Sequence, residues 1–249
     1  MNPILILLKR DLLELKKSIL VVLIFWFLMP LLIHIFLSIP LSNLIRVDIR
    51  YMSWSAPGIW ITCSCMVAFL QSSERMRKLK SNSFQMEAIL KAPISNFNLL
   101  TANTLRGMSY GLVQFFISII ITSILNHDNY SLLTLLTISI QMFFLIFHFA
   151  TIGTFVGSSI SNNNIFYSII YFLFLCLAIG FGNFIPLKYY PESFLSIINL
   201  IPTVSSFENI RSIILQNIFN WTSFILTLLL SVFLSALNLI FSHKTFRRI

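Results

Sequence analysis

Few side chains in this sequence could do chemistry, and most of them stand alone in apolar surroundings. His34 and His148 lie inside long apolar runs, where an ionisable group indicates proton transfer or ligand binding. A neutral imidazole at such a position can instead be held by hydrogen bonds to neighbouring helices. Because neither histidine has a carboxylate nearby in the sequence, structural hydrogen bonding is the favoured interpretation for both.

The spacing of residues supports neither a metal site, nor a disulfide, nor a hydrolytic active site. Cys63, Cys65 and Cys176 have no histidine or carboxylate at ligand spacing, so they are predicted to be small side chains facing lipid or neighbouring helices. The chain contains no G-x-x-x-x-G-K-[ST], H-E-x-x-H or G-x-S-x-G motif. We therefore predict no catalytic residue, no metal site and no cofactor on this chain, which is not expected to be an enzyme.

The composition indicates a membrane protein. Of the 249 residues, 57% are hydrophobic, whereas soluble domains average about 45–50%. The formal net charge of +9 could suggest nucleic-acid binding, but the charges occur in short clusters between apolar runs instead of along one basic face. No nucleic-acid partner is predicted, and membrane lipids are the expected surroundings.

The uncharged stretches predict an all-α polytopic membrane protein with six transmembrane helices, since one span needs about 20 mainly apolar residues. The long stretch from Asn129 to Leu187 is divided into two spans by the polar run Ser158–Asn164. We expect residues 1–18 to precede a single six-helix domain over residues 19–249. The predicted spans are about 19–39, 53–73, 107–126, 132–158, 164–186 and 217–241.

Orientation follows from the distribution of lysine and arginine, which are enriched in cytoplasmic loops. Most of the 17 basic residues fall in the amino-terminal segment, in the loop after the second span and in the tail. The opposite side holds only Arg46, Arg50, Lys188 and Arg211. Both termini are therefore predicted to be cytoplasmic.

Residues 2–17 predict an amphipathic helix that lies flat in the cytoplasmic headgroup layer. One helical stripe is apolar, and charged residues surround it. The predicted stripe is Ile4, Leu5, Leu8, Leu12 and Leu15, and the flanking charges are Lys9, Arg10, Glu14 and Lys17. The alternative is that these residues are only a charged segment that ends the first span on its cytoplasmic side.

The stretch "SFQMEAILKAPIS", residues 83–95, predicts a helix of about two turns inside the charged loop. Glu87 and Lys91 stand four residues apart in the favourable order, and Pro93 ends the helix. Met86, Ile89, Leu90 and Pro93 share one face, with Phe84, Glu87, Ala88 and Lys91 opposite. So short a helix is marginal alone and needs a packing partner.

The segment Asn183–Leu215 is too hydrophobic for a solvated loop, and prolines divide it into pieces too short to span a membrane. Re-entrant or interfacial helices between the fifth and sixth spans fit this pattern. Glu208 and Arg211, three residues apart, are predicted to pair. An ordinary amphipathic loop is the alternative.

Three patterns together resemble the permease subunits of ABC-2 type exporters, and most closely the branch that exports drugs, lipo-oligosaccharides and polysaccharides. They are "APGIW" at 56–60, "FQMEAILKAPISNFNLLTANTLRG" at 84–107 and "FIPLKYYPESFLSIINLIPTVSSFENIR" at 184–211. The third departs from the short "FFP" that the family often has, because Lys188 and two tyrosines are inserted there.

The resemblance implies half of a transmembrane dimer in a bacterial inner membrane, completed by a second copy or a paralogue and driven by a separate cytoplasmic ATPase that holds ATP and magnesium. It assigns residues 2–17 as an interfacial connecting helix. It assigns the ATPase-coupling helix to Phe84, Gln85, Met86, Glu87, Ala88, Ile89, Leu90, Lys91 and Pro93. It assigns an outer gate to Pro186, Tyr189, Tyr190, Pro191, Pro202, Glu208 and Arg211.

The expected function is therefore export of an amphipathic, lipid-linked or drug-like substrate. Two alternatives stay open. One is a membrane scaffold or assembly subunit that does not transport. The other is an ion-coupled carrier, which the scarcity of acidic residues within the spans disfavours.

Overall fold

The structure, a computed structural model, describes residues 3–47, 49–81, 94–160 and 162–245. These residues are helical apart from short connections, and no strand occurs among them. Six of the described helices are long and apolar enough to cross a membrane. The predicted all-α architecture and the number of candidate spans are thus confirmed.

The helices follow one another with short connections. The first two are α1 (Pro3–Lys17) and α2 (Ile19–Ile33), and α2 continues through a π-helical turn (His34–Ser38) to Ser42. Next come α3 (Tyr51–Ser81), α4 (Asn96–Asn126), α5 (Leu132–Ser159) and α6 (Asn163–Leu175), which ends in a second π-helical turn (Cys176–Gly180). A 3-10 turn (Leu187–Tyr189) leads to the short α7 (Glu192–Ile198), then α8 (Pro202–Gln216) and α9 (Trp221–Thr245).

Several span boundaries differ from the predicted ones. The third candidate span begins at Asn96 instead of 107, because the Ser95 hydroxyl caps the helix by accepting a hydrogen bond from the Asn98 amide (3.2 Å). The fifth ends at Gly180 instead of 186. The sixth begins at Trp221 instead of 217, since Asn217 adopts the left-handed conformation (φ 54°) that ends α8.

Helix α3 is the centre of the bundle. In its most apolar 18-residue window 89% of the residues are buried, against 22% in α2 and 17% in α6. Neighbouring helices approach its backbone closely. A Cβ at Gly157 of α5, for example, would overlap the carbonyl oxygen of Ser73. Helix α3 is thus enclosed by protein, and the outer helices leave their apolar faces exposed.

Helix α1 packs through a face that the sequence pattern did not identify. Leu7 and Asp11, four residues apart, are its buried residues, whereas Leu5 and Leu12 of the predicted stripe are 59% and 62% exposed. Leu7 joins an apolar cluster with Met76 and Leu99. The helix is amphipathic as predicted, but a mixed apolar and acidic face holds it against the bundle.

Candidate functional sites at the two ends of the helix bundle

Helices α3 and α4 form a long hairpin whose ends, Ser81 and Asn96, border the predicted coupling segment. The nine residues assigned to ATPase coupling all lie outside the described residues. They are Phe84, Gln85, Met86, Glu87, Ala88, Ile89, Leu90, Lys91 and Pro93. Of this region, the structure therefore describes only the two helices that flank the segment.

A cluster of charged side chains joins α1 to both helices of the hairpin. The Asp11 carboxylate accepts a hydrogen bond from Nη2 of Arg75 at 3.0 Å, and Nη1 of Arg106 lies 3.5 Å from the same oxygen. Glu14 adds a second carboxylate, 3.2 Å from Nη1 of Arg75. One helix thus binds two others through opposite charges, and this group of residues is called the α1 cluster below.

The α1 cluster is partly removed from solvent. The side chains of Asp11, Arg75 and Arg106 are 7%, 10% and 12% exposed, so water screens their attraction less than that of a surface pair. Arg106 also lies over the ring of Tyr110, with its guanidinium carbon 5.3 Å from the ring centroid. Arg10 contributes a third cation, 3.3 Å from Asp11. Three arginines therefore face two carboxylates.

Sequence reasoning missed the α1 cluster. Arg75 and Arg106 contributed to the topology prediction only as positive charges, and Asp11 was assigned no role. The available signal was the position of Asp11, which is four residues after Leu7 and therefore on the same helical face. An acid within an otherwise basic segment indicates a specific partner.

Basic side chains also attach the same end of α3 to α5 and α6. Arg77 donates to the side-chain oxygen of Asn163, and its guanidinium carbon lies 4.7 Å from the ring centroid of Phe166. Lys80 donates to the carbonyl oxygen of Ser158 at 3.0 Å. The last turns of α3 are therefore held on several sides.

At the opposite end of α3, a single arginine organises the segment between α6 and α8. Arg211 donates from Nη1 to Glu208 at 2.7 Å and from Nη2 to the carbonyl oxygens of Gly182 (3.1 Å) and Asn183 (3.4 Å). Its guanidinium carbon lies 3.9 Å above the ring of Trp54. This group of residues is called the Arg211 site below.

The predicted pair of Glu208 and Arg211 is thus present, but Arg211 is far more buried than a loop residue would be. Its side chain is 7% exposed, against 46% for Glu208. Burial lowers the pKa of Arg211, and the neighbouring Glu208 carboxylate opposes that shift. An arginine remains charged under such conditions, so α8 presents a permanent cation to Trp54 of α3.

The chain between α6 and the 3-10 turn is fastened to α3 as well. The Tyr51 hydroxyl donates to the carbonyl oxygen of Phe184. The carbonyl of Asn183 lies against Gly58, where a Cβ would overlap the oxygen atom. Residues 182–184 are therefore enclosed between α3 and α8, and they are called the strap below.

Helix α8 is anchored by buried polar groups from two long helices. Asn209 donates to the Gln141 side chain of α5 (3.5 Å) and to the Asn220 carbonyl (3.0 Å), and it accepts from the Asn220 amide (2.8 Å). Ser206 is hydrogen-bonded to Thr227 of α9. A helix anchored in this way belongs to the bundle instead of forming a loose surface loop.

The remaining residues assigned to an outer gate lie near the Arg211 site. The Tyr189 hydroxyl donates to the carbonyl of Arg46 (2.9 Å), while the Tyr190 ring stacks on Phe194 with centroids 5.1 Å apart. Pro191 precedes α7 and Pro202 begins α8, while Pro186 precedes the 3-10 turn. The structure therefore brings the seven predicted residues to one end of the bundle.

The two histidines within candidate spans are enclosed by the bundle. Both are buried, at 3% and 2% exposed, but Nδ1 of His34 and Nδ1 of His148 have no hydrogen-bond partner among the described residues. The predicted structural hydrogen bonds are therefore not observed at these two nitrogens in the described part of the chain. His148 makes an edge contact with Phe149, with ring centroids 5.6 Å apart. In the described part of the chain no group of histidine, cysteine or acidic residues could hold a metal ion.

Comparison of the chain with protein-family models, with curated proteins and with solved structures finds no match.

Proposed function

We propose that this chain is the permease subunit of an ATP-driven exporter of the ABC-2 type. The observation that carries the proposal is the α1 cluster, in which Asp11 contacts Arg75 of α3 and Arg106 of α4. These helices border residues 82–93, the segment expected to contact an ATPase. A force applied to that segment would reach α1 and the centre of the bundle through defined contacts.

Other features support the same proposal. Six candidate spans follow an amphipathic helix, and two short helices lie between the last two spans. The bundle's sparse carboxylates favour an external energy source over ion coupling. Of the six in the described residues, five lie outside the candidate spans, and Glu74 lies in the last turns of α3; the others are Asp11, Glu14, Asp128, Glu192 and Glu208. Energy would come from the hydrolysis of ATP, which a separate partner chain would bind together with magnesium.

The proposal includes assembly and location. A second copy or a paralogue would complete the substrate path through a bacterial inner membrane, with both termini in the cytoplasm. The cargo would be amphipathic, lipid-linked or drug-like. A carboxy-terminal fusion to green fluorescent protein should fluoresce, whereas a fusion to periplasmic alkaline phosphatase should be inactive. The reverse pair of results would contradict the orientation.

The central test is co-purification with an ATPase encoded beside this chain. Glu87→Arg and Leu90→Asp are expected to reduce both the recovered ATPase and ATP-dependent transport while leaving membrane insertion unchanged. Glu192→Arg is the matched control, because it makes the same charge reversal at the far end of the bundle. Normal co-purification and transport by both variants would refute the coupling assignment. Co-purification without any transport would identify a scaffold instead.

A further inference from the structure

A cavity of about 420 Å³ adjoins the Arg211 site, within the size range of about 300–1,000 Å³ that is typical of ligand sites. Four parts of the chain line it: the link between α2 and α3, the first turn of α3, the 3-10 turn with the residue before it, and α8. Its lining residues with charged or aromatic side chains are Trp54, Lys188, Glu208 and Arg211. Such a lining is suited to a charged ligand.

The charges around this cavity favour an anion. Glu208 is already paired with Arg211 at 2.7 Å. Lys188 is exposed, and it makes no ion pair with any carboxylate of the described residues. Its Nζ lies 5.5 Å from the centroid of the Tyr189 ring. Among the described residues, one positive charge at the rim is therefore without a carboxylate partner and available to a ligand.

The rest of the lining is apolar except for two polar residues of α8, Ser212 and Gln216. Val47 and Ile49 form one wall, and Pro186 and Leu215 contribute from the 3-10 turn and α8. Ile49 is 41% exposed, although it lies beside charged groups. A ligand that matches both halves of this cavity has an anionic group next to a short apolar portion.

Aromatic residues at this end of the bundle, of which Tyr189 and Trp221 are exposed, indicate the level of a membrane interface. Tyr51 and Trp54 begin α3 and Trp221 begins α9, while Tyr189 lies in the 3-10 turn. Tyrosine and tryptophan concentrate where headgroups meet the hydrocarbon region. Lipid phosphates are therefore the anions present at this level in the greatest number.

We propose that this cavity binds the phosphate of an anionic phospholipid, with Lys188 contacting the phosphate and Val47, Ile49 and Leu215 contacting the glycerol and the first carbons of the lipid. The bound lipid would join the α2–α3 link, the 3-10 turn and α8, parts of the chain that form the cavity walls. This site is independent of what the protein transports and of whether it couples to an ATPase.

The test uses the full-length purified protein and native mass spectrometry, with phosphatidylglycerol and phosphatidylcholine as the two probes. Wild type should bind phosphatidylglycerol more tightly. Lys188→Gln should weaken that binding about fivefold, the effect of one basic residue near a lipid surface, and Lys188→Arg should retain it. The matched control is Lys16→Gln, an exposed lysine of α1 at the other end of the bundle.

Two further measurements make the outcome decisive. Unchanged melting temperatures would show that the substitutions act on binding, since Lys188 is exposed. Soluble glycerol 3-phosphate distinguishes the source of the phosphate: failure to displace phosphatidylglycerol supports a lipid, and displacement at similar concentrations identifies a soluble phosphate ester. Equal affinity of wild type and Lys188→Gln for phosphatidylglycerol would overturn the proposal.

Discussion

The two ends of the bundle use arginine in different ways. In the α1 cluster, side-chain carboxylates of one helix hold arginines of two others, and beside them Leu7 packs on apolar side chains of the same two helices, so these contacts join side chains to side chains. In the Arg211 site, the guanidinium also donates to main-chain carbonyls and covers Trp54. The first arrangement can separate without unfolding any helix. The second fixes the path of the backbone, because an unpaired buried carbonyl is costly.

The largest effect is expected from Arg211→Met, which removes the donors to the strap and the cation above Trp54. We expect a loss of about 2–4 kcal/mol of stability, since a buried, hydrogen-bonded cation is removed and its carbonyl partners stay behind. Thermal unfolding of the purified protein in detergent measures it. Arg10→Met is the control, because that side chain is 38% exposed. Equal losses of stability in the two variants would contradict the proposed difference between the two ends of the bundle.

The packing of the strap can be tested by a methyl group. Gly58→Ala places a Cβ against the Asn183 carbonyl and should destabilise the protein by about 1–3 kcal/mol. Gly180→Ala is the matched control, since the nearest atom to its added Cβ is 3.9 Å away. A lower melting temperature for the Gly58 variant alone is expected. Similar melting temperatures would show that the strap can move away from α3.

The α1 cluster is tested by two carboxylate substitutions. Asp11→Asn should cost about 1–2 kcal/mol, because Arg75 and Arg106 lose their shared buried partner. Glu14→Gln should cost less than about 0.5 kcal/mol, since Glu14 is 47% exposed. The measurement is a double-mutant cycle with Arg75→Gln at two salt concentrations. Identical coupling energies for Asp11 and Glu14 would contradict the central role of Asp11.

Within the Arg211 end of the bundle, the smallest effect is expected at a single hydrogen bond of the strap. Tyr51→Phe removes the donor to the Phe184 carbonyl and should cost about 1 kcal/mol. Tyr171→Phe, at a side chain that is 68% exposed, provides the comparison. Melting temperatures of the two variants should differ by a few degrees. A larger loss of stability in the Tyr171 variant would contradict the role of the Tyr51 hydrogen bond.

Hydrophobic runs were enough to predict the six candidate spans, because a span needs only length and apolar composition. The pair of Glu208 and Arg211 was also predictable, since both residues belong to one helix. The α1 cluster and the strap were not predictable in this way. They join residues far apart in the chain, and helical periodicity gives no information about which helices become neighbours. Asn217 likewise looked like the start of a span until its left-handed backbone conformation showed the end of α8.

The length of α3 has a mechanical consequence. Its 31 residues extend about 46 Å, whereas the hydrocarbon core is about 30 Å thick. With Tyr51 and Trp54 at one membrane surface, the surplus of about 16 Å would project beyond the other surface, together with Arg75 of the α1 cluster. We therefore expect the end of the hairpin to form a stalk outside the membrane. A tilt of about 10° within the membrane would displace the end of the stalk by roughly 3 Å, enough to break an ion pair.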